Sequence, residues 1–324
     1  MLISLIKRFL ATIPVIIIVS FLTFFFEELS PGNYLSSLKQ NPAISTELIE
    51  TYENDFGLNK PFVIRYLLWL KNAVLGNFGY SFSNKASVSS LIFDRVSNTL
   101  SLAIISLFIS WVIIILFGSI CAFKQDSWFD KAISMISNFG ISMPKIFLAL
   151  IVLFIAIKTG WFPVGGMKSY NYEDLSFISK IMDRANHLFL PVFVLTFSTA
   201  ALYIRQMRAS MIDVLDNNYI LTAKSKGLTE KAIITNHALR AALNPMIVLF
   251  SYSLVSIING SLIVEIVLAW PGMARLGLDA LLNQDTPLLT GVVLFSAIVL
   301  ILGNLLADLL LVLNDPKVKA SEVL

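Results

Sequence analysis

The sequence predicts an all-α integral membrane protein of about six transmembrane helices, with an extracytoplasmic segment after the first. Three observations carry that prediction. The chain is 56% hydrophobic and only 14% charged, and its mean hydropathy of +0.78 lies far above that of a water-soluble domain. Apolar runs of membrane length recur along the 324 residues. Lysine and arginine gather in alternate connections between those runs.

A hydrocarbon core of roughly 30 Å takes about 20 apolar helical residues. By that measure the spans fall at 9–26, 99–123, 133–157, 188–203, 246–268 and 288–313. Lys7 and Arg8 precede the first run as they would a signal peptide, but no small-residue cleavage site follows Phe24-Phe25-Phe26-Glu27, so the run reads as a retained anchor. In the long segment 31–98, Phe62, Ile64, Tyr66, Leu67, Trp69 and Leu70 form an amphipathic stretch. It suits either a helix on the membrane surface or a cap helix packed on the bundle. Pro144 is expected to kink the third span and free a carbonyl, to which Lys145 hydrogen-bonds unless it lines a polar path. The connection 158–187 holds the turn-rich Trp161-Phe-Pro163-Val-Gly165-Gly166 and then a charged amphipathic piece over 172–184. Pro271-Gly272 opens a short helix over 273–282.

Lys7 and Arg8, Lys124 and Lys131, the cations from Arg205 to Arg240, and Lys317 and Lys319 all fall on one side of a six-span chain. That side is the cytoplasm, so both termini are cytoplasmic and the protein is multi-pass.

One connection on that side is unusually structured. In Tyr219-Ile-Leu-Thr-Ala-Lys-Ser-Lys-Gly227-Leu-Thr-Glu, Lys226 ends a helix, Gly227 takes a left-handed turn, and Thr229 followed by Glu230 opens a second helix. The expected product is a bent helix pair outside the bilayer. Its apolar residues Ile220, Ala223, Leu228, Ile233 and Ile234 then make a knob that docks on another protein.

Thr222-Ala223-Lys224, Gly227 and, about eighteen residues later, Pro245 resemble the cytoplasmic coupling loop of ATP-binding-cassette importer permeases. Ala-Lys-Ser-Lys-Gly-Leu followed by His237-Ala-Leu-Arg240-Ala-Ala-Leu-Asn-Pro245 is most similar to the dipeptide, oligopeptide and nickel branch, and to its B-type subunit. Further blocks stand in the family's order. They are Leu29-Ser-Pro31-Gly32, Gly57-Leu-Asn-Lys-Pro61, Gly76-Asn-Phe-Gly79-Tyr-Ser81, Trp270-Pro271-Gly272-Met-Ala-Arg275-Leu276, and Asn304-Leu-Leu-Ala-Asp308. Leu221-Thr222 replaces the initial glutamate or arginine of the coupling motif, and the loop 167–186 is longer than in many relatives.

The resemblance implies a MetI-like bundle in a bacterial cell inner membrane. Residues 1–96 would form the first helix and extracytoplasmic segment, 97–313 the permease domain with its coupling loop at 211–245, and 314–324 a cytoplasmic tail. It further implies a homologous second permease subunit, two ATPase subunits that bind ATP and Mg, an extracytoplasmic solute-binding protein and a peptide substrate. Coupling to the ATPase would fall to Tyr219, Thr222, Ala223, Lys224, Lys226, Gly227, Leu228, His237, Arg240 and Pro245. The chain itself would be no enzyme and would hold no cofactor.

The residues agree with that non-catalytic role. No Gly-Lys pair occurs, so a phosphate-cradling loop is missing. His187 and His237 are too distant in sequence for a helical metal pair, and the single Cys121 lies inside an apolar run as a small core residue. The net charge of +3 without a basic arm gives no reason to expect nucleic acid. Ionisable or polar groups in spans need an interior role. Lys145, Asn259, Glu265 and Arg275 are accordingly pathway or gate candidates, with Glu265 meeting substrate amino groups or pairing with Arg275. Asp308 and Asn304, one turn apart, tie the last span into the bundle. A proton-coupled secondary transporter is the competing class, using intramembrane carboxylates as proton sites.

Overall fold

The computed structural model describes residues 2–29, 60–229 and 232–314. Helix α1 (Leu2–Leu29) is followed by α2 (Phe62–Val74) and a small antiparallel hairpin of β1 (Tyr80–Ser81) and β2 (Ala86–Ser87). Then come α3 (Val88–Phe123), α4 (Trp128–Ser142), α5 (Lys145–Thr159), α6 (Phe177–Leu215), α7 (Asn218–Ser225), α8 (Leu239–Val267), α9 (Met273–Leu282) and α10 (Thr286–Asn314). Among the described residues, Val88–Phe123, Phe177–Leu215, Ile233–Phe250 and Thr286–Leu306 are long and apolar enough to cross a membrane. Helices α4 and α5 pass the same test only together, and Leu10–Phe26 and Tyr252–Val267 are shorter apolar stretches. The motifs quoted from 30–59, the side chain of Asp308 and the tail from 315 lie outside the described residues.

The third predicted span is not one kinked helix. It breaks into α4 and α5, which meet at 105°. Pro144 has no N–H to offer the preceding turn, and its ring holds Met143 in extended backbone at φ −88° and ψ 119°. Each half has 15 residues, about 22 Å of helix. The fourth span overshoots its predicted limits. Ser176 caps α6, accepting from the Ser179 N–H at 3.4 Å, so most of the amphipathic piece at 172–184 becomes the first turns of a 39-residue helix. Only Tyr172–Asp174 stands apart, as a single 3-10 turn.

The chain divides into two compact units, and the first comprises Met1–Leu5, Leu100–Trp270 and Leu302–Leu324. Between helices in lipid, close approach counts for more than hydrophobicity, because the tails are as apolar as the side chains. Small residues accordingly enter the contacts: Ala149 and Ala156 of α5 are buried in one cluster with Leu195, Ile257 and Trp270, and Ala200 of α6 in another with Met207. The Trp111 Nε1–H donates to Ser253 Oγ at 2.8 Å, and that hydroxyl donates to the Phe250 carbonyl at 2.7 Å, tying α3 to α8. Cys121 is buried, as its apolar surroundings predict.

The second unit comprises Ile6–Thr99 and Pro271–Ile301. Here α2 packs on α1, as a cap helix would. Tyr66 Oη lies 3.0 Å from Ser20 Oγ, Phe21, Phe24 and Trp69 gather around the Tyr66 ring, and Arg65 pairs with Glu28. The opposite face of α2, with Val63 and Leu67, is exposed. Asp285 secures the hairpin. Its Oδ2 accepts from Ser81 Oγ at 2.7 Å and from the N–H and Oγ of Ser83 at 2.9 and 2.6 Å. Helix α9 starts where Pro271-Gly272 predicts, with the Met273 N–H bonded to Thr99 Oγ1 at 2.8 Å.

Candidate functional site

Helix α7 ends on Gly227, whose φ of 78° lies in the left-handed region. The N–H of Leu228 reaches back to the Ala223 carbonyl at 3.4 Å, and that of Lys226 to Thr222 at 3.1 Å. This is a Schellman closure, in which the residue after the glycine satisfies a carbonyl that the helix end leaves open. A side chain at 227 would meet nothing within 4 Å, so what glycine supplies there is backbone freedom rather than space. Thr229 then caps the next segment, its Oγ1 accepting from the Ala232 N–H at 3.3 Å.

The second limb differs from its prediction. It is no separate helix outside the bilayer: a π-helical turn, Ile233–Ala238, leads directly into α8, which continues through Pro245. A π turn spaces partners five residues apart instead of four. Ile233 and Ala238 thus share a face, and Ala242 and Met246 extend it at intervals of four; all four are buried. Pro245 removes the helical donor to the Ala241 carbonyl, and at the next residue Ser210 Oγ donates to the Ala242 carbonyl at 2.9 Å, fastening this turn of α8 to α6.

That register corrects the predicted docking knob. Ile220, Ala223 and Ile233 are buried in one cluster with Ile114, Met207 and Met211, holding the segment on the bundle. The apolar surface left for a partner is Tyr219, Leu221 and Leu228, 46%, 54% and 42% exposed. Thr222, Lys226, His237, Arg240 and Pro245 are exposed around it, whereas Ala223 serves the interior. The side chain of Lys224 and residues Glu230 and Lys231 lie outside the described residues.

Lys145, the first residue of α5, reaches α8: its Nζ donates to the Ser256 carbonyl at 3.3 Å and lies 3.5 Å from Ser256 Oγ. A methyl group on Gly260 would stand 2.7 Å from that Nζ, so the ammonium occupies the room the glycine leaves. Asn259 is exposed on the neighbouring turn, and Glu265 is fully buried. Arg275 belongs to the second unit, where its partner is Asp279 at 4.0 Å.

Two contributors escape the sequence reading. Asp130 in the first turn of α4 takes a two-pronged bond from Arg208 of α6. The available signal was Ser127-Trp-Phe-Asp130, a capping pattern that the structure uses, since Ser127 Oγ accepts from the Asp130 N–H at 3.3 Å. Leu221 is the other. Between α5 and α6, Lys168, Lys180 and Arg184 ring Tyr172 at 5.2–5.4 Å. The Lys168 ammonium, 2.7 Å away, holds the Glu173 carboxyl below the usual carboxylate range.

Comparison with known proteins yields consistent matches. Residues 114–320 match the family described as binding-protein-dependent transport system inner membrane component, and 1–103 match its N-terminal companion. The oligopeptide transport system permease protein AppB of Bacillus subtilis (strain 168) is 36% identical over 97% of this chain and 98% of its own length. The oligopeptide transport system permease protein OppB of Haemophilus influenzae is 34% identical over the same shares. Among solved structures, an inward-facing form of the MetNI methionine ABC transporter superposes with a TM-score of 0.56 at 17% identity, covering 69% of this chain and 96% of that one.

Proposed function

This chain belongs to the binding-protein-dependent transport system inner membrane component family, and on that footing we propose that it is the B-type permease of an ATP-driven peptide importer. A homologous second permease completes the pathway, two ATPase subunits bind ATP and Mg and do the hydrolysis, and an extracytoplasmic solute-binding protein delivers the peptide. The observation that carries the peptide assignment is end-to-end similarity to oligopeptide permeases, 36% identity over 97% of the chain.

Coupling follows from the corner at Gly227. Helix α7 and the π turn are fixed to α3 and α6 through buried Ile220, Ala223 and Ile233, while Tyr219, Leu221 and Leu228 stand clear. Seated in a groove of an ATPase subunit, those three side chains carry its closing motion into α6 and α8. The lysine and arginine bias of the connections supports a cytoplasmic position for this segment and both termini.

Reconstitution in liposomes with the second permease, the ATPases and the binding protein tests the reading. Peptide uptake is expected to require ATP and all partners. Uptake driven by a proton gradient in vesicles holding this chain alone would instead establish a secondary transporter.

A further inference from the structure

Lys145 is a cation at the start of the apolar helix α5 with no acidic partner among the described residues. Among the described residues no carboxylate lies within 4.0 Å of it, and its ammonium bonds only to the Ser256 carbonyl and approaches the Ser256 hydroxyl. Lys145 stands about 21 Å along α5 from its far end and Ser256 about 17 Å along α8 from its far end, both less than the roughly 30 Å of a hydrocarbon core.

A lysine in an apolar span opposes membrane insertion, and such residues face a protein interior or a watered cavity rather than lipid. The surroundings are built for it. Gly260 leaves the space that the ammonium fills, and a methyl there would also stand 3.4 Å from Leu195 Cδ2. Lys145 itself is only half-buried, and Asn259, one turn along α8 from Ser256, is exposed. An ammonium, a hydroxyl and an amide thus share one accessible face where hydrocarbon would be costly.

We propose that Lys145, with Ser256 and Asn259, forms a polar station in the translocation pathway that takes a carboxylate of the passing peptide. The inference rests on the importer reading and adds to it a residue that discriminates cargo. Lys145 supplies the charge complementary to a carboxylate, Asn259 supplies an amide N–H, and the bonds to Ser256 hold the ammonium in place while the pathway is empty. Those bonds are at 3.3 and 3.5 Å, long enough for a charged acceptor to displace them.

The test compares uptake of one peptide as its free acid and as its C-terminal amide in the fully reconstituted importer, with the same binding protein throughout. The acid-to-amide ratio cancels differences in the amount of active transporter. Lys145→Met is expected to lower that ratio about tenfold, the loss of one charge-assisted bond, and Lys145→Arg to retain it. Where Lys145→Met fails to co-purify with its partners, Gly260→Ala decides, because its methyl pushes the ammonium off Ser256 and should lower the ratio in the same direction. An unchanged ratio in an assembled variant overturns the proposal. Absence of ATP-dependent uptake by the wild-type complex sinks the importer reading instead, so the two failures are told apart.

Discussion

Arg208 grips Asp130 with both prongs of its guanidinium, Nε to Oδ1 and Nη2 to Oδ2, each at 2.7 Å. The pair joins α6 to the first turn of α4, and Arg205 Nη1 adds a bond to Asn138 Oδ1 at 3.1 Å farther along the same two helices. Asp130 also accepts from the Asp126 N–H at 3.0 Å, so one carboxylate organises both the turn and the helix that follows. The planar fork matters here, because an ammonium would satisfy only one oxygen at a time.

Asp130→Ala should therefore destabilise the permease by about 2 kcal/mol, less than the roughly 3–5 kcal/mol of a fully buried broken pair, because Arg208 keeps 27% of its side-chain surface accessible. Arg208→Lys should recover less than half of that loss. Thermal unfolding of the purified complex measures both, and equal stability of Arg208→Lys and wild type would refute the two-pronged role.

Gly227→Val should leave insertion intact yet separate ATP hydrolysis from uptake. The left-handed backbone at 227 costs an L-residue about 1–2 kcal/mol, and the open space around it means that no clash adds to this. Gly227→Asn should be milder, since asparagine tolerates that conformation. Parallel assays of hydrolysis and uptake check this; normal uptake by the valine variant would remove the corner from the coupling mechanism.

Charging the exposed apolar surface should detach the motor. Leu228→Asp or Leu221→Asp is expected to weaken ATPase binding by about 2 kcal/mol, roughly thirtyfold, whereas Thr235→Asp, exposed on the π turn outside that surface, should change it little. Titration of ATPase subunits against permease in nanodiscs gives the affinities, and equal effects at all three positions would contradict the assignment.

Asp285→Ala should release the hairpin at 80–87. Three donors from Ser81 and Ser83 lose one fully buried acceptor, a loss of about 3 kcal/mol for bonds to a charged group. Faster amide exchange at Ser83 is the expected readout, and unchanged protection there would mean that the hairpin is held by other contacts.

The sequence discloses the multi-pass helical architecture because hydropathy and length alone decide it. The corner at Gly227 and the cap at Thr229 are legible too, since both depend on local backbone chemistry. Prolines show where that legibility stops. Pro191 and Pro245 lie inside continuous helices while Pro144 stands at the break between two, a difference that the residue type does not carry. The docking face is less legible for a related reason: Ile220, Ala223 and Ile233 are apolar whether they face the bundle or a partner, and only tertiary packing buries them against Ile114, Met207 and Met211. Asp130 and Arg208 stand 78 positions apart, a distance over which periodicity carries no information.

Helix α6 has a mechanical consequence. Its 39 residues make a strut of about 58 Å, nearly twice the roughly 30 Å of hydrocarbon it crosses. A tilt of about one degree around its midpoint swings the two tips about 0.5 Å in opposite senses. Arg208 and Ser210 grip one end, and toward the other Phe189 stacks on Phe162 at 4.3 Å. Displacement at the end held by Arg208 and Ser210 is thus carried toward Phe189 along one continuous helix, which holds Pro191 within it.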